Sequence, residues 1–255
     1  MKLTVLGCSG GIGGASSRTS SFLVDEDILL DCGTGVGDLT LDALRAVDYV
    51  FVTHAHLDHI ASIPLMIDSV GESRHFPLTV YGSPETLRIL RAHIFNWLIW
   101  PDFTAIPSRH RPFLRLQPIK VGESVRLGER AITALPAHHT VPALGYCLDS
   151  GAGKLVYTGD TTYCKALIDV LNRLSDLRHL IVETAFADEQ HGLALASRHL
   201  SPALLATMLD ELEVSPQVYI SHLKPGAGER IMAQIARRGG ALRPRALVQG
   251  EVLEF

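Results

Sequence analysis

At 255 residues and 47% apolar composition, the chain can bury a large core, as one α/β domain or two small ones. Lys and Arg total 23 against 27 Asp and Glu, a net charge of −4 with interleaved signs. This argues against a general nucleic-acid coat, because the Arg237-Arg238 and Arg243/Arg245 clusters are short. No run has the length of a membrane span, and the start Met1–Leu6 lacks the apolar stretch of a signal peptide. Cys8, Cys32, Cys147 and Cys164 form no Cys-x-x-Cys pair, so the expectation is a cytoplasmic protein with reduced thiols and no membrane association.

Apolar runs bounded by Gly, Pro, Asp or Ser predict strands at Leu3–Leu6, Ser21–Val24, Ile28–Asp31, Tyr49–Val52, Leu78–Tyr81, Ala131–Leu135, Gly145–Leu148, Leu155–Thr158, Leu180–Glu183, Val218–Ser221 and Ala246–Phe255. Helical periodicity predicts Pro84–Leu98, Lys165–Leu174, Pro202–Leu212 and Ala227–Arg238, with Ser83 and Ser201 as N-caps before a first-turn proline. The order is therefore mainly strands in the first half, then strands alternating with helices. With no repeat or low-complexity linker, one domain over residues 1–255, built of two sheets and outer helices, fits better than two. The stretch Gly10-Gly11-Ile12-Gly13-Gly14 misses a dinucleotide fingerprint at Ser16 and has no helical pattern after it. Its glycines are expected to let backbone pass close to a pocket.

The densest chemistry is Thr53-His54-Ala55-His56-Leu57-Asp58-His59, directly after the apolar run Tyr49–Val52. A strand ending there aims His54 and His56 the same way, because side chains repeat every second residue. Asp58 and His59 follow at a turn that can swing them toward a second point. Further ligand candidates also follow predicted strands: His138 and His139, Asp160, and His222. Nitrogen and oxygen donors grouped this way suit two divalent metals, and paired metals usually mean hydrolysis. Zn²⁺ is favoured, and such ligands also accept Mn²⁺ or Fe²⁺. His75, His93, His110, His179 and His191 are expected to be non-ligands.

His54, His56, Asp58 and His59 match in full the His-x-His-x-Asp-His signature, and the pattern resembles the metallo-β-lactamase superfamily. The segments Leu6–Gly11, Leu30–Gly35 and Gly159-Asp160-Thr161 match further landmarks of that superfamily. The resemblance implies an αβ/βα sandwich, two mixed sheets flanked by helices with the site at one edge. It also implies one metal on His54, His56 and His139, and another on Asp58, His59 and His222, with Asp160 bridging. His138 could exchange roles with His139, but Pro142, Gly145 and Tyr146 complete a pattern that favours His139. By the same resemblance Glu183 orients His199, and His199 protonates the departing alkoxide.

Among the branches, Phe95-Asn96-Trp97-Leu98-Ile99-Trp100-Pro101, His199-Leu200-Ser201-Pro202 and Ser221-His222-Leu223-Lys224-Pro225 resemble the class II cyclic-nucleotide phosphodiesterases. That implies hydrolysis of 3′,5′-cyclic nucleotides, such as cyclic AMP or GMP, to nucleoside 5′-monophosphates. The expected partner is a small phosphodiester rather than a stably bound nucleic acid, and a homodimer follows from the resemblance alone. Asn96 could hydrogen-bond a base or cap the chain before Pro101. Lys224 could add charge near the phosphate. Ribonuclease Z ranks second, because the stretch from Asp160 to Glu183 is short, not basic, and leaves no room for its RNA-gripping arm. A thioester or lactone hydrolase ranks third, since neither needs the Glu183/His199 pair.

Overall fold

The computed structural model describes residues 1–255, and two seven-stranded mixed sheets form its centre. The first sheet runs, in spatial order, Val252–Glu254, Lys2–Gly7, Ser21–Val24, Ile28–Cys32, Tyr49–Phe51, Leu78–Gly82 and Leu114–Pro118. The second runs Arg245–Ala246, Gln217–Ser221, Leu177–Glu183, Lys154–Tyr157, Leu144–Asp149, Arg130–Pro136 and Ser124–Leu127. Within each half of the chain, antiparallel neighbours come first and parallel crossovers follow.

Strand alternation divides the apolar residues between layers. Leu30 and Phe51 point inward with Tyr146, Leu155, Tyr157 and Ile181 to form the core between the sheets. Leu29 and Val50 point outward, against the helices Leu41–Ala46, Ser62–Val70 and Pro84–Ile89. Val156, Leu180 and Ile220 do the same on the second sheet, under Lys165–Leu171, Pro202–Asp210 and Gly228–Arg238. The result is the four-layered αβ/βα sandwich expected from the sequence. No helix is long and apolar enough to cross a membrane.

Several boundaries differ from the sequence expectation. Ala246–Phe255 is two short strands in different sheets, because the chain turns at Val248–Glu251 with Gly250 at φ +87°. The Pro84–Leu98 helix is α only to Ile89 and widens to a π-turn over Leu90–Ile94. Asn96 then closes it, accepting from the Leu98 and Ile99 amides. The first half is also richer in helix than expected, with Leu41–Ala46, Leu57–Ile60 and Ser62–Val70. Ser83 caps its helix through the Thr86 amide, as expected. Ser201 makes no cap bond; Asp188 takes that task by accepting from the Ala203 amide.

Candidate metal centre and active site

Strands from both sheets deliver the ligand candidates to one edge. The Tyr49–Phe51 strand stops three residues before His54, so a loop rather than the strand aims His54 and His56. His56 is the N-cap of the short helix Leu57–Ile60, whose first turn carries Asp58 and His59. His139 follows Arg130–Pro136, Asp160 follows Lys154–Tyr157, and His222 follows Gln217–Ser221 with a left-handed φ of +58°. Ligand atoms of His54, His56, His139 and Asp160 lie within 4.8 Å of one another, as do those of Asp58, His59 and His222. Asp160 stands between the groups, Oδ2 at 3.4 Å from His59 Nε2 and 3.7 Å from His54 Nε2, and Oδ1 at 3.3 Å from His222 Nδ1.

Four buried polar atoms converge there without a hydrogen-bond partner: His54 Nε2, His59 Nε2, Asp160 Oδ1 and His222 Nδ1. Such groups are costly unless something satisfies them, and a cation is the species that nitrogen lone pairs and a carboxylate would share. His139 gives the same reading. Its Nδ1 is hydrogen-bonded to the Arg198 carbonyl at 3.1 Å, so Nε2 carries the lone pair that faces His56 Nδ1 at 3.3 Å. The residues present fit a pair of divalent metals.

Electrostatics prepare the donors. Burial holds His54 and His56 below the ordinary imidazole range and lowers His139 to about 4 and His222 to about 3. These imidazoles are neutral near pH 7, the form that binds metal. His59 moves the other way: burial opposes its charge, but Asp160 and Asp31 outweigh it. Asp160 is held well below the carboxylate range, because His222 and His59 overcome its burial.

Beside the cluster, His199 Nδ1 meets Glu183 Oε1 at 2.7 Å. Glu183 is fully buried and also accepts from the amides of Thr161, Ala185 and Leu200. Burial pulls the His199 imidazolium down, but the Glu183 carboxylate wins and its pKa is raised. The His199 ring comes within 4.8 Å of ligand atoms of Asp160 and His222. The Glu183–His199 pair thus stands next to the His/Asp cluster.

Residues 26–223 match the β-lactamase superfamily domain. The chain belongs to the metallo-β-lactamase superfamily. It is 29% identical over 205 residues to the "Probable 3′,5′-cyclic-nucleotide phosphodiesterase" of Yersinia pestis, covering 71% of this chain and 58% of that protein's length. It is 24% identical over 279 residues to a ribonuclease Z of Methanosarcina mazei, covering 88% of this chain and 87% of the other. The fold superimposes on the crystal structure of yeast PDE1 with a TM-score of 0.81 at 21% identity, covering 100% and 99% of the two chains. With its His/Asp cluster, this superfamily member is a metal-dependent hydrolase.

For a metallo-β-lactamase fold two residues matter that sequence reasoning left without a role. Asp31, buried at φ +54°, accepts from the Thr53 amide and hydroxyl, from Tyr157 hydroxyl at 2.9 Å, and bonds His59 Nδ1 at 2.6 Å. Arg198, at φ +52°, clasps His139 from both ends: its carbonyl meets the ring and its Nη1 donates to the His139 carbonyl at 2.7 Å. The left-handed bend at both positions is a structural trace that residue type does not reveal.

The weaker candidates divide. His138 is exposed and lies outside the ligand cluster; with Ser83, Lys120 and Arg198 it lines a cavity of ≈590 Å³ that also touches His139. Lys224 donates to the Gly10 carbonyl at 2.6 Å and sits over the Phe186 ring, near His199 and His222. Asn96 takes the capping role, one of its two expected uses: its carbonyl oxygen accepts the Leu98 and Ile99 amides of its own turn and its amide donates to the Ala92 carbonyl.

Proposed function

We propose that the protein hydrolyses 3′,5′-cyclic nucleotides to nucleoside 5′-monophosphates. The observation that carries this reading is the Glu183–His199 bond of 2.7 Å beside the His/Asp cluster. A phosphodiester with an alkoxide leaving group needs a proton donor at that place, whereas a thioester, which expels a thiolate, does not. The 29% identity to the Yersinia pestis protein supports the cyclic-nucleotide substrate.

His54, His56 and His139 would hold one cation and Asp58, His59 and His222 the other, with Asp160 shared. Zn²⁺ suits these donors best, with Mn²⁺ or Fe²⁺ as alternatives. When bound, the cations supply Lewis-acid charge to the phosphate oxygens and acidify the attacking water. Water oxygen joins phosphorus, the bond to the 3′-oxygen breaks, and His199 delivers its proton to that oxygen. Glu183 fixes the ring through Nδ1 and raises its pKa, and general-acid assistance of this kind is worth about 10²–10⁴-fold. Lys224 adds positive charge at the same edge. The substrate is a small phosphodiester with no stable nucleic-acid partner, and the enzyme works as a homodimer.

The test is product analysis after incubating metal-loaded protein with cyclic AMP and with a precursor transfer RNA. Chelator-sensitive release of 5′-AMP with intact RNA is expected. Cleaved RNA beside intact cyclic AMP would overturn the reading in favour of a nuclease like the Methanosarcina mazei ribonuclease Z.

A further inference from the structure

At the opposite end of the first sheet lies a cleft that this chemistry does not use. The segment Gly71–Pro77 and the hairpin of Pro107–Ser108 with Arg111–Pro112 enclose a cavity of ≈690 Å³. Arg74, His75, His110, Arg111 and Arg115 line it, and Glu72 is the one acid among the lining residues. Phe76 borders it with 75% of its surface exposed.

The charge there runs against the molecule as a whole, whose net charge is −4. Arg74 is spent, bonded to Asp48 and to the Arg45 and Phe76 carbonyls. Arg111 and Arg115 have no carboxylate within ion-pair distance. The hairpin presents Arg111 and the Leu114–Pro118 strand presents Arg115, and both are held in place: Ser108 Oγ takes the Arg111 amide, the Phe113 amide bonds the Ile106 carbonyl, and the Leu114 amide bonds the Phe103 carbonyl. Two guanidiniums without a carboxylate partner line one cavity on a fixed frame, and a bound anion would neutralise that positive lining.

The cleft is separate from the metal cluster. It lies where the Leu78–Gly82 and Leu114–Pro118 strands begin, whereas the ligand residues lie beyond the carboxyl end of Tyr49–Phe51, which pairs in parallel with Thr79–Tyr81. A five-residue strand spans roughly 17 Å, so a ligand in the cleft does not touch the metals.

We propose that this cleft is a second binding site, for a small ligand that carries several phosphates and an aromatic base, a nucleoside polyphosphate in chemical class. Phosphate oxygens pair with the Arg111 and Arg115 forks, His110 closes the hairpin tip over them, and the base stacks on Phe76. A cavity of this volume is of the size that holds small ligands rather than the track a long strand follows.

Isothermal titration of the metal-loaded protein with ATP, pyrophosphate and a short single-stranded RNA tests this, alongside turnover of bis(p-nitrophenyl) phosphate. ATP is expected to saturate one site apart from the metals. Binding weakens roughly tenfold or more in an Arg111→Ala/Arg115→Ala variant, while turnover stays at the wild-type level. Phe76→Ala weakens ATP and leaves pyrophosphate unchanged. Equal ATP affinity in wild type and double variant, or no saturable ATP binding, overturns the proposal. RNA binding tighter than ATP and lost in the double variant also overturns it, in favour of a polynucleotide track. Loss of cyclic-AMP hydrolysis would be a failure of the proposed function and would leave these binding results intact.

Discussion

The Asp31 carboxylate takes the Thr53 amide and hydroxyl, the Tyr157 hydroxyl and His59 Nδ1, so it is a fixed anion that leaves Nε2 of His59 for the cluster. Partners of this kind hold the ring orientation of a metal-binding histidine, and their loss typically costs about 10–100-fold in affinity. Asp31→Asn should show that drop in competition with a chelator; unchanged affinity would mean that packing alone orients His59. Glu183 makes a second residue-scale prediction. Its carboxylate raises the His199 pKa, and in the proposed mechanism His199 acts while protonated. Removing the charge with Glu183→Gln lowers that pKa, so the alkaline limb of kcat/KM for an alkyl phosphodiester should move to lower pH. An unmoved limb would assign the titration to another group. The ligands were legible in the sequence because each is a His or Asp just past an apolar run. Asp31 was not given a role because its partners sit 22, 28 and 126 positions away.

At the scale of elements, the glycine-rich loop after the first strand shows why residue type matters where backbones touch. The Gly10 amide bonds the Leu223 carbonyl, the His222 amide bonds the Cys8 carbonyl, and a Cβ on Gly10 would stand 2.4 Å from the His222 carbonyl oxygen and 2.8 Å from its ring. Only glycine lets the loop lie flat on this ligand. Gly10→Ala should displace His222, reduce bound metal and lower turnover by roughly 100-fold, the size of effect a 1 Å misplacement produces. Elemental analysis with steady-state rates checks this; full metal content with wild-type turnover would refute the tight fit. The sequence anticipated this close approach, together with nearly every central strand, because buried strands are apolar and bounded by turn residues. It missed Leu114–Pro118, an edge strand that alternates with Arg115 and Gln117, and the hairpin before it, whose two-residue strands leave no pattern. It also read Ala246–Phe255 as one strand, since Ala246, Leu247 and Val248 lead toward Val252 and Leu253 and only the turn at Gly250 separates them.

On the whole molecule, the cluster joins the two halves of the chain. His54, His56, Asp58 and His59 come from the half that builds most of the first sheet, and His139, Asp160 and His222 from the half that builds the second. Between them lie buried donor and acceptor atoms with no protein partner, which a shared cation would satisfy where the sheets meet. A ligand that binds the folded state alone stabilises it by mass action, by about 4 kcal/mol when present at ~1,000 times its Kd. For a chain of this size that is a change in Tm of roughly 8–16 °C. Thermal melts with saturating Zn²⁺ and with excess chelator should differ by that amount, and Asp160→Ala should lose most of the difference because both groups of ligands share its carboxylate. A chelator-insensitive Tm in the wild-type protein would show that the halves are held by the core between the sheets alone, and that the cluster contributes chemistry without contributing stability.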